Sequence, residues 1–178
     1  MKKILLHICC GICSSWAIEK LKNEGFQVKG FFYNPNIQPE EEYLKRLNTA
    51  REVARFHEIE LSAGDYSPGA WLERVKGLEN EAEGAARCLV CFRIRLEETC
   101  RKARESGTEY FTTTLTISPH KNFELIKEIG LSISASGFLP YNFKKEDGFK
   151  KSNEFSRRHD LYRQDYCGCL FSRNRINT

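Results

Sequence analysis

The segment Lys3-Ile4-Leu5-Leu6-His7-Ile8-Cys9-Cys10-Gly11-Ile12-Cys13 joins a short apolar run to three cysteines. The branched aliphatic residues of the run favour a buried first β-strand. The run is only about five residues long, is interrupted by His7 and precedes no small-residue cleavage site, so we do not interpret it as a signal peptide. It is also much shorter than the roughly 20 apolar residues of a membrane span.

Short apolar runs alternate with helical patterns along the chain. This alternation predicts an α/β fold of the HUP or Rossmann-like kind, with helices on the faces of a parallel sheet. The length of 178 residues, the apolar fraction of 40% and the mean hydropathy of −0.53 are typical of a single domain over 1–178. The predicted strands are Lys3–Ile8, Val28–Tyr33, Ile59–Leu61 and Tyr110–Leu115; the predicted helices are Ser14 or Ser15 to Lys22, Pro39–His57, Ala86–Glu105, Ser118–Ile129 and Ser152–Leu161.

Cys9 and Cys10 directly follow the first predicted strand. Ligands of open parallel sheets gather outside the carboxyl ends of the strands, so this position is a candidate site. Nucleotide-binding relatives of such folds carry a glycine-rich or serine-rich phosphate loop here. Because thiols replace that loop, we do not expect the protein to use ATP.

Seven of the eight cysteines fall into three clusters, Cys9-Cys10-x-x-Cys13, Cys88-x-x-Cys91 and Cys167-Gly168-Cys169. The chain lacks the marks of a secreted, disulfide-stapled miniprotein, so the clusters indicate metal or redox chemistry. A four-iron cluster takes four thiolates, or three when one iron is left open. Seven thiolates therefore leave enough for a second metal or a redox dithiol.

The Cys88-x-x-Cys91 pair lies at the start of a predicted helix, so both thiols share one face. The pair alone is compatible with zinc, iron–sulfur or thioredoxin-like chemistry. Arg95, seven residues beyond Cys88, lies on the same face, where it could offset thiolate charge, hold a phosphate or simply be a surface arginine. Cys100 points to the opposite side, which favours a core position.

The third cluster, Cys167-Gly168-Cys169, is compatible with either a strained disulfide or two metal ligands, and the spacing does not separate them. His7 lies near the first cluster but inside the apolar strand, which favours a core histidine over a ligand. The net charge of +4 arises from residues 143–178, with nine Lys and Arg against five Asp and Glu. This basic surplus indicates either a solvated surface or a phosphate-rich partner such as RNA.

Six ordered motifs, together spanning nearly the whole chain, resemble those of the epoxyqueuosine reductase QueH family. The motifs contain all seven clustered cysteines. They are His7-x-Cys9-Cys10-x-x-Cys13-Ser14, Tyr33-Asn34-Pro35-Asn36-Ile37, Glu83-Gly84-x-x-Arg87-Cys88-x-x-Cys91-Phe92, Phe111-Thr112-Thr113-Thr114-Leu115-x-Ile117-Ser118-Pro119, Phe143-Lys144-Lys145 and Leu161-Tyr162-Arg163-Gln164-x-Tyr166-Cys167-Gly168-Cys169.

The resemblance implies a cytoplasmic enzyme that reduces the cyclopentane epoxide of epoxyqueuosine at the tRNA wobble base. It further implies a four-iron–four-sulfur cluster, an additional iron, no cobalamin and an external electron donor. We expect Cys9, Cys10, Cys88 and Cys91 to hold the four-iron cluster. We expect Cys13, Cys167 and Cys169 to form a second metal site or a redox-active pair. The expected substrate-binding residues are Arg95, Lys144, Lys145, Tyr162, Arg163 and Tyr166.

Two alternatives use the same residues. The first is a zinc-stabilised RNA-binding domain that catalyses no reaction. The second is a thiol–disulfide oxidoreductase that uses Cys167 and Cys169. An iron–sulfur protein purified without oxygen is brown, whereas a zinc protein is colourless, so colour separates the first alternative from the reductase.

Overall fold

A four-stranded parallel sheet forms the centre of the protein in a computed structural model that describes residues 1–176. Its strand order is β3-β2-β1-β4, and every pair of neighbours is parallel. This arrangement confirms the predicted fold class. The strands are β1 (Lys2–His7), β2 (Phe26–Phe32), β3 (Leu61–Ala63) and β4 (Tyr110–Thr113).

Helices connect the strands and cover both faces of the sheet. One of them, Ala86–Glu105, has the bounds predicted from sequence. Among residues 1–176, no helix is both long and apolar enough to cross a membrane. The helices are α1 (Gly11–Asn23), α2 (Glu40–Phe56), α3 (Pro68–Arg74), α4 (Ala86–Glu105), α5 (Phe123–Ile133), α6 (Gly148–Arg158) and α7 (Leu170–Ile176).

Alternate side chains of β1 enter two different cores. Ile4, Leu6 and Ile8 pack in one apolar cluster with residues of α1 and α2. Leu5 packs in a second cluster with residues of α4, β4 and α5. Because successive side chains of a strand point to opposite faces, both faces of β1 are buried, as in other parallel sheets.

The first helix begins at Gly11, three residues before the predicted cap at Ser14. Cys10 occupies the cap position with extended backbone angles, φ −162° and ψ 157°, and makes no side-chain cap bond. Ser14 lies inside the helix, where its hydroxyl donates to the carbonyl of Gly11 at 2.6 Å. A Cβ at Gly11 would lie 2.6 Å from Cγ2 of Thr49, so glycine lets α1 pack closely on α2. With α1 beginning at Gly11, Cys13 lies in its first turn, close to Cys9 at the end of β1.

Two strand predictions were partly wrong because local hydrogen bonds change where β3 starts and where β4 ends. Ile59 donates its N–H to the carbonyl of Ala54 at 3.0 Å, so it completes the end of α2 and β3 starts at Leu61. The hydroxyl of Thr113 accepts from the N–H of Leu115 at 3.1 Å. This bond begins a 3₁₀ turn over Thr114–Ile117, where a longer strand was predicted.

Two helix predictions were shifted. The fifth helix starts at Phe123 instead of at Ser118-Pro119, because the side chain of Asn122 accepts from the N–H groups of Glu124 and Leu125. The sixth covers Gly148–Arg158 instead of Ser152–Leu161. The short helices α3 and α7 were not predicted.

Strand order brings the first cysteines to the point where the chain reverses direction across the sheet. The chain runs from β1 outward to β2 and β3, then crosses back to β4 on the other side of β1. Such a reversal leaves a crevice at the carboxyl ends of the two diverging strands. Cys9 follows β1 there, and Thr114 follows β4.

Cys100→Ala should lower the free energy of unfolding by about 1 kcal/mol. Cys100 is buried on α4 in the apolar cluster beside Leu96, as predicted, so only its small side chain is lost. Urea denaturation measures the change. Leu96→Ala on the same helix face is the matched comparison, and it should cost about 2–5 kcal/mol. A cost for Cys100→Ala that equals the cost for Leu96→Ala would contradict this assignment.

Candidate metal centre

Three thiols meet at the end of β1. The Sγ atoms of Cys9, Cys10 and Cys13 all lie within 4.8 Å of one another, and those of Cys9 and Cys10 are 3.9 Å apart. Thr114 braces this group from β4, because its hydroxyl accepts from the N–H of Cys9 at 3.0 Å and donates to its Sγ at 3.3 Å. The strand end, the first turn of α1 and the turn after β4 together position the three thiols.

The three thiols share charge unequally. Hydrogen bonds with Cys10 and Cys13 hold the pKa of Cys9 well below its usual value. Hydrogen bonds with Cys10 and, second, with Cys9 raise the pKa of Cys13 well above its usual value. Cys9 is therefore the first thiolate of the group, and its neighbours stabilise it as donors. Metal binding requires the remaining protons to leave.

Arg95 links this group to the thiols of α4. Its Nη2 donates to the Sγ of Cys91 at 3.0 Å, and its Nη1 donates to Asn34 at 3.4 Å. Burial opposes its charge, but nearby thiolates, Cys91 first among them, raise its pKa above the usual value. The guanidinium therefore remains charged while it is 3% exposed. Arg95 is therefore not a surface arginine, and its contact with Cys91 suits compensation of thiolate charge. Its role in substrate binding stays a prediction.

A second cavity holds the remaining clustered cysteines, which line it from α4 and from the segment before α7. Three of its lining residues carry an N–H group that is buried without a hydrogen-bond partner among residues 1–173. These groups are Nε1 of Trp71 and the Nε atoms of Arg87 and Arg95. Buried donors and cationic groups around clustered thiols suit an anionic, sulfur-rich metal cluster, whose sulfur atoms accept such hydrogen bonds. Its lining cysteines are Cys88, Cys91, Cys167 and Cys169.

An open cleft of about 630 Å³ joins the two groups of thiols, since Cys167 and Arg95 line both spaces. This volume is in the range of small-molecule sites. Burial would lower the pKa of Lys121, but the thiolates of Cys167 and Cys9 raise it above its usual value. The other lining residues include Cys9, Cys10, Cys13, Asn36, Arg46, Glu83, His120, Phe149 and Tyr166.

His7 is a core residue, as predicted. Its Nε2 lies 3.0 Å from the carbonyl of Tyr33, and its Nδ1 lies 2.8 Å from the hydroxyl of Thr113. Because a carbonyl can only accept, Nε2 carries the proton and the Thr113 hydroxyl donates to Nδ1. Burial, with a smaller contribution from Arg95, lowers the pKa of His7 to about 4. The ring is neutral and both of its nitrogen atoms are occupied.

The C-terminal cysteines are held by an ion pair on α2. Arg46 donates to Glu42 at 2.6 Å and to the carbonyls of Tyr166 and Cys167 at 3.0 and 3.1 Å. Both charged side chains are buried. Gly168 has φ +104°, and a Cβ there would lie 2.9 Å from Nη1 of Arg46. A side chain would therefore be strained and would displace the arginine that holds the loop.

A family model described as "Epoxyqueuosine reductase QueH" matches residues 4–175 of this chain. The chain belongs to the QueH family. Relatives with the same description are 40% identical in Acinetobacter baylyi, over 96% of this chain and 80% of the relative, and 39% identical in Streptococcus pyogenes serotype M1, over 95% and 69%. A relative from Thermotoga maritima is 37% identical, over 97% of this chain and 91% of the relative.

Two solved structures share the fold at low sequence identity. One is the predicted subunit of a tRNA methyltransferase from Methanocaldococcus jannaschii, with a TM-score of 0.59 and 12% identity over 88% of this chain and 75% of that chain. The other is the U34-tRNA thiolase NcsA from Methanococcus maripaludis with its [4Fe-4S] cluster. Its TM-score is 0.55, with 13% identity over 92% of this chain and 58% of that chain. Because the sequence identity is this low, the likeness shows a shared fold alone.

The residues of this QueH chain that were expected to bind substrate lie in surroundings that differ from one residue to the next. Tyr162 donates its hydroxyl to Glu42 at 2.6 Å, and Tyr166 donates to the carbonyl of Gln38 at 2.5 Å. Both tyrosines therefore help to hold the C-terminal loop, although Tyr166 also lines the cleft. Their role in substrate binding stays a prediction.

Three basic residues on the expected list also have identifiable surroundings. Lys144 donates to the carbonyl of Lys121 at 2.7 Å, beside the cleft. Lys145 is exposed at the start of a 3₁₀ turn before α6. Arg163 is exposed and donates to Asn153 on α6 at 2.9 Å. Like the tyrosines, they remain predictions as substrate contacts.

Sequence reasoning missed Arg46, Lys121 and Trp71. The spacing of Glu42 and Arg46 indicates an i, i+4 ion pair, but it carries no information about the loop that the pair holds. Lys121 follows the turn after β4, so the strand-end rule could have included it. Trp71 lies on the short helix α3, whose start at Ser67-Pro68 is a signal that could have indicated it.

Arg46→Met should lower the free energy of unfolding by about 3–5 kcal/mol, because it leaves the Glu42 carboxylate buried without its partner. It should also accelerate alkylation of Cys167, since two bonds to the loop are lost. Chemical denaturation and mass spectrometry of alkylated peptides measure these effects. Arg51→Met is the matched control on the exposed side of α2 and should change stability by no more than about 0.5 kcal/mol. Unchanged Cys167 alkylation in Arg46→Met would show that the ion pair does not hold the loop.

Proposed function

We propose that this chain reduces the cyclopentane epoxide of epoxyqueuosine in tRNA to the alkene of queuosine, without cobalamin. The observation that carries the proposal is the convergence of seven thiols, distant in sequence, on two adjoining spaces at the carboxyl end of β1. Membership of the QueH family supplies the reaction. The convergence supplies a place for the redox groups that this reaction needs.

The group of Cys9, Cys10 and Cys13 suits a single iron. Two thiolates bound to one tetrahedral ion at 2.3 Å are about 3.8 Å apart, and the Sγ atoms of Cys9 and Cys10 are 3.9 Å apart. Three thiolates leave a coordination position open, which would face the cleft. This grouping differs from the one expected from sequence, in which Cys13 accompanied Cys167 and Cys169.

The cavity of Cys88, Cys91, Cys167 and Cys169 suits a four-iron–four-sulfur cluster, which takes four thiolates. The unpartnered N–H groups of Trp71, Arg87 and Arg95 would be donors to its sulfur atoms. When bound, the two iron groups would supply the electrons of the reaction. An external electron donor would then reduce the iron groups again. Removal of an epoxide oxygen as water takes two electrons and two protons.

Residues of the cleft would bind the substrate and supply protons. Lys121 stays protonated beside the thiolates of Cys9 and Cys167, so its Nζ can hold a proton where the epoxide oxygen leaves. His120 lines the same cleft, whereas the buried, neutral His7 takes no part. The basic surplus of residues 143–178, of which the structure describes 143–176, supports contact with tRNA phosphates. A tRNA substrate in turn supports a cytoplasmic location.

The protein purified without oxygen should be brown, should contain iron and sulfide, and should convert epoxyqueuosine to queuosine in tRNA with dithionite as reductant. Nucleoside mass spectrometry measures the product. Cys88→Ala should lose the visible absorption and the turnover, whereas Cys100→Ala should keep both, because Cys100 lies in the core. A colourless zinc protein, or an iron-loaded protein without turnover, would overturn the proposed function.

The grouping of the thiols has its own test. Cys169→Ala should remove the visible absorption of the four-iron cluster, whereas Cys13→Ala should keep most of it and lose about one iron per chain. Metal analysis and absorption spectra of the two variants measure this difference. If Cys169→Ala keeps the full cluster absorption, the grouping expected from sequence is favoured instead.

A further inference from the structure

An exposed aromatic side chain lies at the mouth of the thiol-lined cleft. Phe149 lines the same cleft as Cys9, Cys10 and Cys13, and 44% of its surface is exposed. Its ring stacks on no other aromatic ring among residues 1–173. A single exposed apolar side chain is common on protein surfaces. What distinguishes Phe149 is its place in the lining of the cleft that also contains Cys9, Cys10 and Cys13.

The local sequence fixes Phe149 firmly in this position. A Cβ on the preceding Gly148 would lie 1.9 Å from the carbonyl oxygen of Phe143 and 2.4 Å from Cδ1 of Trp16. Only glycine therefore allows α6 to begin so close to α1. Lys151, two residues after Phe149, lies with its Nζ 3.8 Å from the centre of the Trp16 ring. Phe149 thus lies in the first turn of a helix whose start packs closely against α1.

A cationic side chain of the segment after α6 is connected to the position of Phe149 through Asn153. Asn153 follows Phe149 by one helical turn and donates to its carbonyl at 2.8 Å. The exposed guanidinium of Arg163 donates to the Oδ1 atom of Asn153 at 2.9 Å, which leaves its other N–H groups available. Asn153 thus contacts both Phe149 and Arg163. Phe149 lines the cleft, and so does Gln164, the residue after Arg163.

We propose that Phe149 and Arg163 form a nucleotide-binding subsite for the tRNA substrate. Phe149 stacks on a base of the anticodon loop, and Arg163 binds a phosphate beside that base. Loop bases of RNA are commonly splayed out and stacked on aromatic side chains, while arginine binds phosphate in a bidentate manner. The inference rests on the proposed function, and it assigns base stacking to Phe149 instead of Tyr162 or Tyr166, whose hydroxyls hold the C-terminal loop.

Steady-state kinetics of the iron-loaded protein on tRNA that contains epoxyqueuosine test the stacking contact. Phe149→Ala should raise KM for tRNA about 5- to 150-fold, the effect of losing one base–aromatic stack, with kcat within about twofold of the parent value. Phe149→Trp should keep the parent KM, because a larger ring still stacks. Leu44→Ala, an equally exposed apolar residue on α2, is the matched control and should change nothing.

The phosphate contact has a separate readout. Arg163→Ala should reduce the slope of log KM against log salt concentration by about 0.7–0.9, the value for one phosphate contact. Phe149→Ala should leave this slope unchanged. A parent-like KM in Phe149→Ala, or an unaltered salt slope in Arg163→Ala, overturns the corresponding half of the subsite.

Failure of the reaction and failure of the subsite give different results. In Phe149→Trp, binding of tRNA should quench the fluorescence of the new indole, and this readout needs no turnover. Quenching without turnover in the parent protein would refute the proposed reaction and leave the subsite intact. Turnover without quenching, together with a normal KM in Phe149→Ala, would refute the subsite alone. Absence of both would refute both.

Discussion

The buried guanidinium of Arg95 is the contact on which the site depends. Thiolates carry negative charge, and burying such charge without compensation is strongly unfavourable. Arg95 donates to Cys91 on α4 and to Asn34, whose own amide donates to the carbonyl of Ile8 at 2.9 Å. One cation therefore ties the end of β1, the loop after β2 and the thiols of α4 into a single arrangement.

Other cationic side chains extend this compensation around the site. Arg46 holds the carbonyls before and at Cys167, and Lys121 keeps its charge beside thiolates of both groups. Arg87 donates to three carbonyls of the loop before α4, at 2.7–3.0 Å, and so also fixes the start of the helix that carries Cys88. Lys121 and Arg87 thus help to balance thiolate charge, whereas Arg46, which is paired with Glu42, positions the segment that carries Cys167.

Local patterns predicted much of this arrangement. The alternation within Ile4–Ile8 indicates a strand buried on both faces, and the position of Cys9 at its end then follows from the topology of parallel sheets. Helical phase separated Arg95 from Cys100 correctly, because both lie on one continuous helix whose bounds were also predicted. In each case the decisive neighbours are close in sequence.

Contacts between distant segments could not be predicted in the same way. The start of α1 at Gly11, which packs closely against Thr49 of α2, places Cys13 beside Cys9 and Cys10. The expected grouping of Cys13 with Cys167 and Cys169 stays a prediction. The side chain of Asn122, not the Ser118-Pro119 pair, sets the start of α5. The hydroxyl partners of Tyr162 and Tyr166, on and before α2, lie 120 and 128 residues away in sequence, so the sequence did not indicate these two contacts.

The attachment of Tyr166 and Cys167 to α2 through Arg46 has a consequence for biosynthesis. The ribosome synthesises the seven clustered cysteines in three groups, of which Cys167 and Cys169 are the last. Until Arg46 has captured the carbonyls of this late segment, the cavity beside α4 lacks half of its cysteines. A nascent chain can therefore build its sheet and gather Cys9, Cys10 and Cys13 early, but its second group of thiols becomes complete only after Cys169 has left the ribosome.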